Sequence, residues 1–196
     1  MPATLANLFM SARRLRRKQN IWSTDTGISG TGDILTKITP YRGMNMVAFS
    51  FTVPGLTQFE VTRTGRKIGP IPHREIIAFT DCNILEANTE PSEEEKNNFF
   101  PTVSGGDTYW VEKIDIDKQK ALIRCDCRDF YFAWQYWDFK GGNLWGPPAK
   151  PYVRKTPLPP KGRPRVNPNG YQGFCKHIYY IWRNFMVNQR GGTYFK

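Results

Sequence analysis

The chain has 196 residues, room for one substantial domain or two small ones. Its 6 Trp, 9 Tyr and 13 Phe exclude a wholly disordered chain, because such chains lack the large apolar side chains that offset ordering entropy. No stretch approaches the roughly 18 consecutive apolar residues of a membrane-spanning helix, and 17 Gly with 15 Pro point to strands, turns and loops rather than a helical bundle. The net charge of +11 is lopsided. Residues 1–100 hold 12 basic and 10 acidic residues, whereas residues 101–196 hold 16 and 7. After Asp138 there are 11 Lys or Arg and no acid. Such a surface attracts phosphate backbones or an acidic protein neighbour in an assembly, and charge sign alone does not separate the two.

At the start, Leu5, Leu8, Phe9, Ala12 and Leu15 recur at helical spacing. They predict an amphipathic helix over 3–18 that docks on a partner or on the body of the protein. The basic run Arg13–Lys18 follows the mildly apolar residues 1–12, the wrong order for a secretory signal. The first acid is Asp25, so a presequence reading stays open. Residues 20–44 contain TDTGISGTGD, a Thr/Gly/Ser-rich stretch that reads as loop. Asn45–Val53 reads as a strand ending at the Pro54–Gly55 turn, and Thr57–Arg63 as a second strand before a turn at 64–67. Glu75–Leu85 is the longest apolar run of the first half, and its β-branched residues favour a buried strand. Cys82 within it reads as a core thiol. The acidic stretch 90–98 reads as a helix start or linker, with a boundary near it.

In the second half, Asp107–Ile114 and Lys120–Arg124 flank a polar connection and predict a hairpin whose second strand runs into Cys125. Residues 130–139 hold seven aromatics. They are either a stacking platform for single-stranded nucleic acid or core; Phe130, Trp134 and Trp137 at helical spacing favour core. Eight prolines between Pro147 and Pro168 predict an extended, partly polyproline arm over 141–170. Residues 177–187 predict a helix with Ile178, Ile181, Trp182 and Phe185 on one face, stopped by Gly191–Gly192.

One constellation carries specific chemistry. Cys125-Asp126-Cys127 and Cys175-Lys176-His177 are two ligand pairs separated by 47 residues. Three thiolates and an imidazole are a standard tetrahedral zinc set, and residues two apart can present both side chains to one ion. Iron takes thiolate donors too. The alternatives are two disulfides or inert buried thiols; Cys125 and Cys127 are too close to bridge each other comfortably, and a Cys-Cys-Cys-His set in two short pairs is better explained by metal. Arg124, Arg128 and Lys176 flank the pairs and are expected to offset their negative charge. Four protein ligands fill the shell, which favours structural over catalytic zinc. His73 is the only other histidine and reads as structural or exposed. No phosphate loop, nucleophile elbow or dinucleotide fingerprint is present, so the expectation is a protein that is not an enzyme.

Strand, Cys125-x-Cys127, Asp129-Phe130, an insert, then Gly173 and Cys175-Lys176-His177-Ile178 on a helix start resembles the SWIM-type zinc finger. The resemblance spans residues 107–187, with a longer, Pro-rich insert, and implies that Cys125, Cys127, Cys175 and His177 bind Zn2+. The surrounding CDCRDFYFAWQYW, NPNG and GFCKHIYYIW resemble proteins of tailed bacteriophages, some of them virion components.

The expected fold is therefore α+β: a basic N-terminal arm or helix (1–20), a β-rich module (21–100), and a zinc-binding hairpin/helix module (101–196) with the Pro-rich insert 141–170. The expected role is a structural component of a virion, at neck, tail or baseplate, held by zinc. Its partners would be other virion proteins in a multi-copy assembly, with neither membrane nor small-molecule substrate. It would be assembled in the host cytoplasm and located in the virion. The alternative is a zinc-dependent nucleic-acid-binding protein. In either reading, Arg154, Lys155, Lys161, Arg163 and Arg165 are the expected contact residues, on nucleic acid or on partners.

Overall fold

The computed structural model describes residues 2–19, 34–53, 60–61, 67–68, 72–153, 167 and 169–196. The fold is α+β. Strands β1 (Leu35–Tyr41) and β2 (Met46–Val53) precede a two-residue ladder of β3 (Glu60–Val61) and β4 (Lys67–Ile68). Then come β5 (His73–Phe79), β6 (Phe99–Ser104), β7 (Asp107–Glu112) and β8 (Ala121–Cys125). The main sheet has the order β1-β2-β5-β8, antiparallel throughout. The expected turns at 54–55 and 64–67, the loop 24–33 and most of the strand at 57–63 lie wholly or largely outside the described residues.

Side-chain alternation gives this sheet its two faces. Phe49, Phe51, Ile77, Phe79, Ile123 and Cys125 fall on one face and enter the main core. Ala48, Ala78 and Leu122 fall on the other, in a smaller cluster with Met46, Tyr41 and Trp145. Each fully buried Phe contributes roughly 1.5–3 kcal/mol. The main core runs without a break from Leu5 to Phe195, and β8 completes a sheet begun before residue 90.

Helix α1 (Leu5–Gln19) forms as its apolar stripe predicts, and it docks on the body. Leu5, Leu8 and Ala12 are buried, and Phe9 stacks on Trp182 with ring centroids 4.1 Å apart. Asn143 ties this end of the chain down. Its Oδ1 accepts from Ala3 N and Gln172 Nε2, and its Nδ2 donates to Ala3 O and Ala121 O.

Helices α2 (Arg128–Ala133) and α3 (Gln135–Gly141) follow the sheet. α4 (Lys176–Ile181) continues into a wide π-type turn over Trp182–Val187. Ile178 and Ile181 are buried as expected, with Trp182 and Phe185 partly so. The aromatic run divides: Phe130 and Trp134 are buried, Trp137 is half-buried, and Tyr131, Phe132 and Phe139 are exposed. No helix among the described residues is long and apolar enough to cross a membrane.

Two expectations change. No strand is expected between the loop stretch 24–33 and Asn45, yet β1 lies there. Pro40 weakens its strand signature, yet an edge strand tolerates a missing N–H, and β1 is an edge. The expected hairpin of 107–114 with 120–124 does not form. β7 pairs instead with β6 across Gly105–Gly106, whose positive φ values of 66° and 94° suit a two-residue turn. β8 pairs with β5, where apolar residues match in register. The link between β7 and β8 folds on itself, Asp115 Oδ1 accepting from the amides of Asp117 and Lys118.

Candidate metal centre

Cys125 ends β8, in phase with Ala121 and Ile123, so the pleat aims its side chain into the core. The chain then turns into α2. Cys127 is the N-cap of that helix, with extended backbone (φ −70°, ψ 153°), and its Sγ accepts from Phe130 N at 3.3 Å. Cys127 N in turn donates to Cys125 Sγ at 3.4 Å. Cys175 is the N-cap of α4 in similar backbone (φ −75°, ψ 174°), and His177 lies in the first turn. Both pairs thus use a helix start to fold two side chains toward one point.

The segment carrying the second pair is fixed from behind. Phe174 is buried, and Gly173 N donates to Asp138 Oδ1 at 2.9 Å. A Cβ on Gly173 would lie 2.7 Å from the Trp134 ring and 3.0 Å from Ala12 Cβ. Glycine is needed here for close approach, not for its backbone freedom.

The four donor atoms, three Sγ and one imidazole nitrogen, all lie within 4.8 Å of one another, and all four residues are buried. His177 Nδ1 is 3.8 Å from Cys125 Sγ and 3.9 Å from Cys175 Sγ. Tetrahedral zinc with bonds of about 2.3 Å to sulfur and 2.0–2.1 Å to nitrogen sets S···N edges of about 3.6 Å. Those two edges are thus within a few tenths of an ångström of the tetrahedral value, and the whole set, spread over no more than 4.8 Å, closes on an ion with side-chain movements of up to about 1 Å. Its chemistry asks for one. Burial pushes the thiols of Cys125 and Cys175 up, while hydrogen bonds from Cys125 and then Cys175 pull Cys127 down. By themselves the three sulfurs favour one thiolate; a divalent cation supplies the charge for three. The Cys3His cluster is a buried set able to hold a metal ion, commonly zinc, as the sequence predicted.

Three neighbours escape the sequence reading. Glu75 faces Cys125 in register, is buried, and is 3.4 Å from its Sγ through Oε1; burial pushes its carboxyl up to about 9. A neutral carboxyl beside thiolates avoids a further buried anion. The signal was its position in phase with Ile77 and Phe79. His73 and Asp126 form the second feature. Their Nδ1 and Oδ1 are 2.8 Å apart, and the His73 ring stands 4.3 Å from the His177 ring. His73 is partly buried, and its place beside the cluster follows only from the β5–β8 pairing.

The expected charge compensation changes for Arg124. Alternation puts it on the opposite face from Cys125, where Nη1 donates to Trp145 O at 2.7 Å. Arg128 and Lys176 are exposed beside the cluster. Cys82 is a buried thiol as expected, 3.2 Å from Phe79 O, its pKa raised to about 12 by burial. Arg154, Lys155, Lys161, Arg163 and Arg165 lie outside the described residues. No family model, no curated protein and no solved structure matches this chain.

Proposed function

We propose that this protein is a structural component of a tailed-bacteriophage virion, clipped by one zinc ion in a SWIM-type finger. The observation that carries the reading is the buried four-donor cluster. Four protein donors complete a tetrahedral shell, so the ion would hold structure and keep no position for substrate. When bound, zinc supplies cross-linking free energy. The chain's residues do the rest. Cys125 and Cys127 anchor the ion to the end of the sheet and the start of α2, and Cys175 and His177 anchor it to α4. The ion would thus join segments about 50 residues apart, around an acid-free, Pro-rich insert. That insert and the resemblance of 107–187 to phage proteins support the virion placement, since a Pro-rich arm loses less entropy on docking along neighbours.

The test has two parts. The purified protein should contain one zinc per chain, and Cys175→Ser and His177→Ala should each lose it together with solubility. Protein free of metal when fresh would overturn the finger. Mass spectrometry of purified particles should then find the chain at stoichiometric level; its absence from particles would overturn the virion placement and leave the metal centre standing.

A further inference from the structure

We infer that Tyr131, Phe132 and Tyr152 form a stacking surface for single-stranded nucleic acid, with Arg128 and Lys150 placed to meet its phosphates. This goes beyond the zinc clip and does not depend on a place in a virion. The three residues are 56 %, 40 % and 49 % exposed, unlike Phe130 and Trp134 of the same run, which pack inside. Their rings nevertheless form one group. Phe132 lies 4.5 Å from Tyr152, Tyr131 lies 5.2 Å from Phe132, and Tyr131 lies 6.4 Å from Tyr152.

Tyr131 and Phe132 stand on α2, whose first turn is capped by Cys127, and the segment before Tyr152 is pinned by the buried Ala149. The rings are mutually tilted by 57–75°. One flat partner cannot cover all three faces. A flexible strand whose bases turn independently can cover them one at a time, while duplex bases are already stacked on each other.

Charge selects the occupant. Arg128 is exposed and lies three and four residues before Tyr131 and Phe132, on the same side of α2. Lys150 is exposed two residues before Tyr152. Of the acids nearby, Asp126 is paired with His73. From residue 139 onward the chain has no acid at all. Aromatic faces beside exposed cations suit a polyanion with π-faces better than an apolar protein surface.

The test uses the full zinc-loaded chain and a fluorescein-labelled oligothymidylate of about 12 nucleotides, followed by anisotropy at low salt. The expected result is binding that weakens steeply with salt, with the matching duplex binding less tightly. Phe132→Ala and Tyr152→Ala should each weaken binding by roughly 5- to 100-fold, with Phe132→Tyr close to wild type. Arg128→Gln should flatten the slope of log affinity against log salt by about 0.7. Metal content and melting temperature confirm each variant as folded; these rings are exposed, and Tyr152 lies outside any helix. Failure of the zinc-loaded wild type to bind the oligonucleotide, as expected of a surface built for a protein neighbour, would overturn the inference. So would alanine variants that bind as well as wild type. Neither result would touch the metal centre, which is read from zinc content.

Discussion

Replacing Asn143 by Ala tests whether a single buried amide holds three distant parts of the chain together. The Asn143 side chain is fully buried, and each of its hydrogen-bonding positions is in use. Oδ1 takes bonds of 3.0 Å from Ala3 N and 2.8 Å from Gln172 Nε2; Nδ2 gives bonds of 2.9 Å to Ala3 O and 2.6 Å to Ala121 O. An asparagine amide has two donors and two acceptor sites, so the set is complete. The four losses are unequal. Gln172 is half-buried and can turn toward water, and Ala3 O keeps its bond from Ala121 N at 3.1 Å. Ala3 N and Ala121 O lose a partner inside the protein. At about 1–3 kcal/mol for each stranded group and about 0.5 kcal/mol for each of the others, the sum is about 3–7 kcal/mol. Against a typical total of 5–15 kcal/mol, that is a large fraction of the fold's stability. Urea unfolding of the zinc-loaded protein measures it as a lower midpoint at unchanged slope. Asn143→Asp keeps the acceptors but sets a carboxylate against two carbonyls, and should be no better than Ala. A loss below 1 kcal/mol in the Ala variant would refute the reasoning, as would an Asp variant near wild type.

Two further outcomes follow from the surroundings of the second ligand pair. Asp138 is fully buried and burial raises its pKa well above that of a free carboxyl, so the folded state holds its proton more tightly than the unfolded chain does. The stability it contributes is complete below the unfolded pKa near 4 and declines as pH rises toward the folded value. Asp138→Asn keeps the acceptor for Gly173 N and removes the charge. It should gain on wild type above about pH 4, at up to about 1.4 kcal/mol per pH unit, when melting is followed from pH 4 to 8; an advantage greatest at pH 4 would contradict this. Gly173→Ala should cost about 1–3 kcal/mol in thermal melts, because its methyl would meet the Trp134 ring, and should distort the visible spectrum of the cobalt-substituted protein. A silent substitution would mean that the ring gives way freely.

The ligands were legible because metal chemistry restricts both residue type and spacing, and neither depends on tertiary context. α1, β2 and α4 were legible for a related reason: their periodicity is local. What escaped was pairing. β8 looks like the natural partner of β7, next to it in sequence, but it matches β5, where Glu75 meets Cys125 and Phe79 meets Ala121. That choice is made by the shared core and by the turn at Gly105–Gly106, not by either strand alone. The positions of Glu75 and His73 beside the metal cluster follow from this pairing and were hidden with it. β1 was missed because its Pro40 is penalised anywhere except on an edge, and edge position is a property of the finished sheet.

The docking of α1 has a consequence for how the chain is made. Phe9 packs on Phe174, Tyr179 and Trp182, residues that leave the ribosome some 165 positions later. At 5–20 residues per second, the helix waits on the order of ten seconds for its seat, with its apolar stripe uncovered. The second ligand pair arrives in that same late stretch. Completion of the four-donor cluster and burial of α1 therefore wait on the same stretch of chain. A translation pause before that stretch would leave a sticky intermediate, a sheet with α1 unseated.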